Sequence, residues 1–317
     1  MFWPRLASGL LASLVLLWIF GPRDRLRTDA VGVDRPADPQ VWLNRREAGI
    51  RSEVASYLQW AGQPGQVADL AILYVHGFSA SPAELRPLPE DLARSLGANL
   101  LAIRLQGHGQ GGDELAAARA EDWWRDVAQG LAIARGMGRR VIVLGTSTGA
   151  TLAALAARDP QMGKHMDGII LVSPNFGLRA RGAWMLDLPF ARHILRLLGD
   201  PTRCFATRSD MHRARWTHCY PVSAALPVGV LVRTARRGTY ENATQPALFI
   251  WSDADLIVDH YGTAKVAAAW GGPVTVVKTA PERNDDPDAH VLAGEALSPG
   301  MTASLASTIG DWIRQIR

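Results

Sequence analysis

Gly145-Thr146-Ser147-Thr148-Gly149 stands between an apolar run, Val141-Ile142-Val143-Leu144, and a stretch of helix formers over residues 150–157. A serine in such a strand-to-helix context reads as a nucleophile elbow. The chain turns so sharply there that side chains at the two glycines would collide with neighbouring backbone, and the serine hydroxyl is pushed out over a cleft. The helix that follows aims its first unpaired N–H groups at any negative charge forming on a bound carbonyl. Glycine is abundant, 30 of 317 residues, so a chance glycine-rich turn is the alternative. The flanking strand and helix signals favour the elbow.

Short apolar runs alternate with segments of helical period on both sides of this turn. Strands are predicted over residues 70–75, 99–105, 140–144, 168–173, 247–251 and 274–277, and helices near 82–96, 121–134, after Ser147 and over 302–316. That rhythm predicts an α/β fold with a mostly parallel sheet covered by helices, its functional groups at strand C-terminal ends. Between residues 174 and 245 the rhythm breaks. Helical stretches are expected at 183–198 and 210–216, with no clean strand, so 178–245 reads as an inserted helical cap shaping a substrate entrance. The chain then divides into a signal or transmembrane anchor (1–21), a linker (22–40), two core parts (41–177 and 246–317) and the cap.

With 48% apolar residues the chain has ample material for a core, which excludes disordered and fibrous classes. Basic residues exceed acidic ones by four, but almost all are arginine, and no nucleic-acid binding is read from that balance. The excess is local: residues 178–245 hold eleven Arg against four acids, which suits an anionic substrate or a membrane surface as well as a solvated face. From Leu6 to Phe20 there is no charge. As a helix this run would span roughly 22 Å, short of a hydrocarbon core of about 30 Å unless its neighbours extend it. No small-x-small cleavage site follows directly, so an uncleaved membrane anchor is expected, with the folded part on the extracytoplasmic (periplasmic) side. A cleaved signal peptide is the other option. Arg23, Arg25 and Arg27 argue for the opposite orientation. Cys204 and Cys219 are the only cysteines, and in an exported protein they would be free to pair.

A serine hydroxyl needs a positioned base, itself held by an acid, and after an elbow the order should be acid, then histidine. The strand expected over 247–251 ends in Ser252-Asp253-Ala254-Asp255. Asp255 lies further into the loop and can reach a neighbouring site, whereas Asp253 could cap the turn; Asp259 is a third candidate. His260 and His290 are the histidines that follow. His290 comes after the next strand, in the loop beginning Glu282-Arg283-Asn284, so adjacent strands deliver acid and base to one edge; His260 belongs to a helix starting beside it. Two backbone N–H groups should meet a developing oxyanion, one from Thr148 and one from Phe78 in the turn His76-Gly77-Phe78. No metal-ligand spacing appears, and neither metal nor organic cofactor is expected.

Tyr74-Val75-His76-Gly77-Phe78, Arg104-Leu105-Gln106-Gly107-His108-Gly109, Trp124-Arg125-Asp126, the elbow Gly145 to Gly149, Asp255 and His290 together resemble the α/β-hydrolases, over nearly all of residues 65–317 except the cap. Within that superfamily the chain is most similar to the monoacylglycerol lipase and lysophospholipase group. The resemblance implies Ser147 as nucleophile, His290 as base, Asp255 as orienting acid, and Phe78 and Thr148 as oxyanion donors. His108 is read as structuring its loop, and Trp123 and Trp124 as helix packing.

The function expected is serine hydrolysis of a carboxylic ester through an acyl-enzyme, with a lipid-like acyl ester such as a lysophospholipid or monoacylglycerol as the expected substrate class. The partners expected are a small-molecule ester and a membrane met through the N-terminal segment. An acyltransferase or thioesterase on the same residues, and a noncatalytic binding protein on a hydrolase scaffold, are the alternatives. Sequence leaves the oligomeric state open.

Overall fold

The computed structural model describes residues 16–18, 20–28 and 33–316. The folded part opens with helix α1 (Pro39–Arg46), whose first free N–H groups are capped by the Asp38 carboxylate, and a short strand β1 (Tyr57–Gln59). Strand and helix then alternate through β2 (Ala68–Val75), α2 (Leu88–Leu96), β3 (Asn99–Ile103), α3 (Gly112–Ala117), α4 (Ala120–Met137), β4 (Gly138–Thr146), α5 (Thr148–Arg158) and β5 (Gly168–Val172). An excursion follows, carrying α6 (Ala191–Leu197), β6 (Thr202–Cys204), α7 (Asp210–Arg215), β7 (Cys219–Pro221) and α8 (Leu226–Arg237). The chain closes with β8 (Ala247–Trp251), α9 (His260–Ala268), β9 (Val274–Lys278) and α10 (Pro299–Gln315).

Seven strands form one sheet in the order β1-β3-β2-β4-β5-β8-β9. β1 runs antiparallel at one edge and all other pairings are parallel. Parallel strands need crossovers that cover both faces, and β2 shows the consequence in its side chains. Ala71, Leu73 and Val75 join the core beneath α4, α5 and α8, while Leu70, Ile72 and Tyr74 join the core beneath α2 and α10. The register aligns the strands' C-terminal ends: Val75 pairs with Gly145, Thr146 with Val172, and Val172 with Ile250. Loops leaving β2, β4 and β8 therefore emerge at one edge.

Several expected elements have different bounds. The helix expected from residue 82 begins at Leu88, because Pro82, Pro87 and Pro89 suit turns and a first helical turn but not a helix interior. The stretch 183–198 is two pieces, a 3₁₀ turn (Ala183–Asp187) and α6, with Pro189 between them. The cap does contain strands: β6 and β7 form an antiparallel ribbon in which Cys204 opposes Cys219, and the two are disulfide-bonded.

The apolar run expected as a membrane anchor lies mostly outside the described residues. Among the described residues no helix is long and apolar enough to cross a membrane. Residues just after the run lie along the cap: the Phe190 N–H donates to Pro22 O at 2.9 Å, the Arg23 guanidinium to Asp187 O at 2.9 Å, and Arg192 pairs with Asp24 at 3.1 Å.

Candidate active site

Ser147 sits where β4 ends and α5 begins, with φ +51° and ψ −115°. A non-glycine residue with positive φ is costly, so its surroundings must hold it there. They do so through the backbone: the Ser147 N–H donates to Val172 O at 2.9 Å, and Ser147 O accepts from Asn175 N at 3.2 Å and Thr151 N at 3.0 Å. The glycines of the turn are fixed by close approach. A Cβ on Gly149 would fall 2.2 Å from Val75 O, and one on Gly145 would fall 2.6 Å from Ala150 Cα.

Ser147, His290 and Asp255 lie in one hydrogen-bonded series. His290 Nε2 is 3.0 Å from Ser147 Oγ, and Nδ1 is 2.8 Å from Asp255 Oδ2. All three are buried, Asp255 completely. The other oxygen of Asp255 accepts from the N–H groups of Ile257 and Val258 at 2.8 and 2.9 Å, so the carboxylate can present only one face to the imidazole. Burial alone would lower the pKa of His290, but the charge and hydrogen bond of Asp255 outweigh it and hold the imidazole above its ordinary value, with Glu84 and Asp286 adding to the pull. The competing candidates do other work. Asp253 pairs with Lys278 at 2.8 Å and accepts from the Trp251 indole, Asp259 caps α9, and His260 is the first residue of that helix.

His290 is carried by a loop that organises itself through its own acids. Asp286 accepts from the backbone N–H groups of His290 and Val291 at 3.2 and 3.0 Å, and the Ser173 hydroxyl donates to His290 O at 2.6 Å. Asp285 likewise accepts from Glu282 N and Gly300 N. Read in sequence, Asn284-Asp285-Asp286-Pro287-Asp288 is a polar loop; only the fold shows which carboxylates bind it together.

The turn after β2 brings Gly77 against Ser147, and Phe78 follows it into the cavity that Ser147 lines. His76 Nε2 accepts Leu105 N–H at 3.0 Å, which leaves the proton on Nδ1 to donate to Gly77 O at 2.8 Å. The Arg104-Leu105-Gln106 loop is tied down in turn by Asp126, which accepts from Gln106 N at 2.6 Å and pairs with Arg46 at 2.8 Å. The Phe78 ring meets those of His108 and Tyr220 edge-on. Burial lowers the His108 pKa to about 3, and the neutral ring packs against Phe78 and Trp123. Trp123 and Trp124 are fully buried packing residues, and the Trp123 indole donates to Gln106 O. Thr148 is the first residue of α5, so its N–H has no acceptor within the helix.

Gly77, Phe78, Ser147, Thr148 and His290 border one cavity of about 570 Å³. Its outer wall comes from the cap, through Leu178, Phe205, His212, Trp216, Tyr220 and Val228. The cap is tied across the opening by Thr217 N–H to Ser79 O at 2.7 Å and by Arg208 to Asp288 at 3.0 Å. A pocket of this size, apolar on one side and carrying convergent polar groups on the other, suits a small molecule with an apolar portion. The sequence offered no sign of Glu84, which lines the same cavity and is buried. Among the described residues no group of three or more His, Cys, Asp and Glu side chains is arranged to hold a metal ion.

The sequence and the architecture have counterparts in known proteins. The family model described as Hydrolase_4, serine aminopeptidase S33, matches residues 66–284. A thermostable monoacylglycerol lipase from Bacillus sp. (strain H-257) is 32% identical over 88 residues, which is 28% of this chain and 35% of that protein. The chain thus spans about a third of the length of that relative. Among solved structures, one from metagenome-derived lipolytic enzymes, LipS and LipT, superposes with a TM-score of 0.64 at 19% identity, covering 84% of this chain and 99% of the other. A soluble variant of monoglyceride lipase from Saccharomyces cerevisiae, in complex with a substrate analog, superposes with a TM-score of 0.62 at 12% identity, covering 82% and 90%. These likenesses show the α/β-hydrolase fold.

Proposed function

The chain belongs to the Hydrolase_4 family, and from that premise we propose that it is a serine hydrolase of carboxylic esters with Ser147 as nucleophile, His290 as base and Asp255 as orienting acid. The observation that carries this is the series from Ser147 Oγ through both imidazole nitrogens to Asp255, at 3.0 and 2.8 Å. Nδ1–H donates to Asp255, which leaves the Nε2 lone pair facing the hydroxyl. During attack on an ester carbonyl, Nε2 takes the Ser147 proton. The tetrahedral oxyanion then turns toward the Phe78 and Thr148 N–H groups, each such donor being worth roughly 3 to 4 kcal/mol of barrier where measured. Collapse returns the proton to the departing alcohol and leaves Ser147 acylated. Water, deprotonated by the same nitrogen, releases the acid.

The substrate we propose is an ester with an apolar acyl chain, such as a monoacylglycerol or lysophospholipid. The apolar cap wall supports that choice, as does the likeness to lipolytic enzymes. Steady-state hydrolysis by the full chain, over glycerol and nitrophenyl esters of graded acyl length beside an aminoacyl arylamide, tests it. Preference for chains longer than acetyl, with negligible arylamide cleavage, is expected. A preference for acetyl overturns the lipid assignment, and faster arylamide cleavage overturns ester chemistry.

We also place the folded part outside the cytoplasm, held at a membrane by residues 1–21. The charge-free run from Leu6 to Phe20 and the disulfide between Cys204 and Cys219, a bond that persists in oxidising compartments, support this.

A further inference from the structure

We infer that Glu84 is a positioning residue for this site: its carboxylate grips the Gly77 N–H and thereby sets where the Phe78 N–H stands relative to Ser147. The inference rests on the roles of Ser147 and Phe78 proposed above. The proton route needs only Ser147, His290 and Asp255, yet a buried carboxyl group lies against the same cavity. Its Oε2 accepts the Gly77 N–H at 2.7 Å and the Tyr74 hydroxyl at 3.0 Å. Tyr74 and Gly77 bracket the end of β2, so this one oxygen spans the junction between a rigid strand and the turn that carries Phe78.

Space around the turn points the same way. A Cβ on Gly77 would fall 2.9 Å from Glu84 Oε1 and 3.3 Å from Ser147 Cβ, so Gly77 is held between the acid and the serine. Glu84 is itself held from behind. Its N–H donates to Ser81 O at 2.9 Å, and its carbonyl oxygen lies 2.5 Å from where a Cβ on Gly294 would stand, in the chain that follows His290. One acid thus links β2, the Phe78 turn and the neighbourhood of the base. Burial raises its pKa to about 7 against the Gly77 N–H, the Tyr74 hydroxyl and His290, all of which favour the carboxylate. Burying an acid is costly unless its bonds are satisfied, and here both bonds are spent on fixing the turn.

The test compares the full chain carrying Glu84→Ala, Glu84→Asp and Glu84→Gln with the wild type. The measurements are kcat and KM on a nitrophenyl ester, the affinity of a trifluoromethyl ketone, which forms a reversible tetrahedral adduct with a reactive serine, and thermal unfolding. A displaced oxyanion donor costs turnover more than substrate binding, so Glu84→Ala is expected to lower kcat about ten- to a hundredfold with KM changed less than about threefold. Ketone affinity should fall in proportion to kcat. Glu84→Asp, one methylene too short to reach Gly77, keeps the charge and should behave like Glu84→Ala. Glu84→Gln, whose amide oxygen can accept both bonds, should return kcat to within about threefold of wild type.

Wild-type kcat and ketone affinity in Glu84→Asp would overturn the inference, even if Glu84→Ala does not fold. So would a Glu84→Gln protein that melts like wild type but is as impaired as Glu84→Asp. A wild-type chain that neither binds the ketone nor turns over ester overturns the roles of Ser147 and Phe78 as well. Normal wild-type behaviour with indifferent variants overturns only the role of Glu84.

Discussion

Ser147 follows a strand whose last six residues are all buried, whereas Phe205, on the opposite wall of the same cavity, follows a three-residue strand that is exposed throughout. The first wall is held by parallel ladders, two apolar cores and backbone contacts so close that only glycine fits. The second reaches the main core through Tyr220 and α8, but its outer part, around β6, is held by one disulfide, a few charge pairs across the opening and short elements. The comparison teaches a division of labour under the proposed function: the sheet edge would fix atoms to the tolerance that bond making needs, and the cap would supply the surface that selects the substrate.

Asp255→Asn should give the largest effect, because the amide would present a donor to Nδ1 and favour the wrong imidazole tautomer. Turnover should fall by about four orders of magnitude with the fold intact, read from kcat and a melting curve. A fall of less than tenfold would break the claim that the sheet edge sets the rate.

The pH profile is next. As the proposed base, His290 must be neutral to take the proton, so kcat/KM should rise about tenfold per unit on the acid side and level off above the imidazole pKa. Asp255, helped by Glu84 and Asp286, holds that pKa above the usual imidazole value despite burial, so the acid limb should lie at correspondingly higher pH. A limb below the ordinary imidazole range would contradict the buried pairing.

The smallest effect on catalysis is expected from the cap. Replacing both Cys204 and Cys219 by serine should cost about 3 kcal/mol in a denaturant titration, on the chain-entropy account of a loop this size. Turnover of an acetyl ester should stay within about twofold while the preference among longer acyl chains flattens, since tightening of a binding wall acts on specificity more than on the chemical step. A collapse of acetyl turnover would show that the cap also sets the geometry of the chemistry.

What could be seen in the sequence follows the same line. The elbow was legible because Gly145 and Gly149 answer to local backbone contacts, and the strands because β2, β4, β5 and β8 are buried and read as continuous apolar runs. Order along the chain narrowed the acid to Asp253, Asp255 or Asp259 and the base to His260 or His290; position in the loops and the family resemblance favoured Asp255 and His290. Glu84 and Asp286 were not legible as site residues. Their places depend on which N–H groups the folded chain brings to them, and a carboxylate carries no mark of that in its neighbours. β6 and β7 were missed because three residues are too few to show a period of two. α2 starts later than its helical pattern suggests because the prolines before it are read only once their positions in the turn are known.

Intact-mass analysis of the full chain after exposure to a fluorophosphonate, beside the Ser147→Ala variant, tests the central claim most directly. A single adduct on the native protein and none on the variant is the predicted result. No adduct on folded wild-type protein, or equal labelling of both, would contradict an activated Ser147 and bring forward a binding protein on a hydrolase scaffold or a different nucleophile.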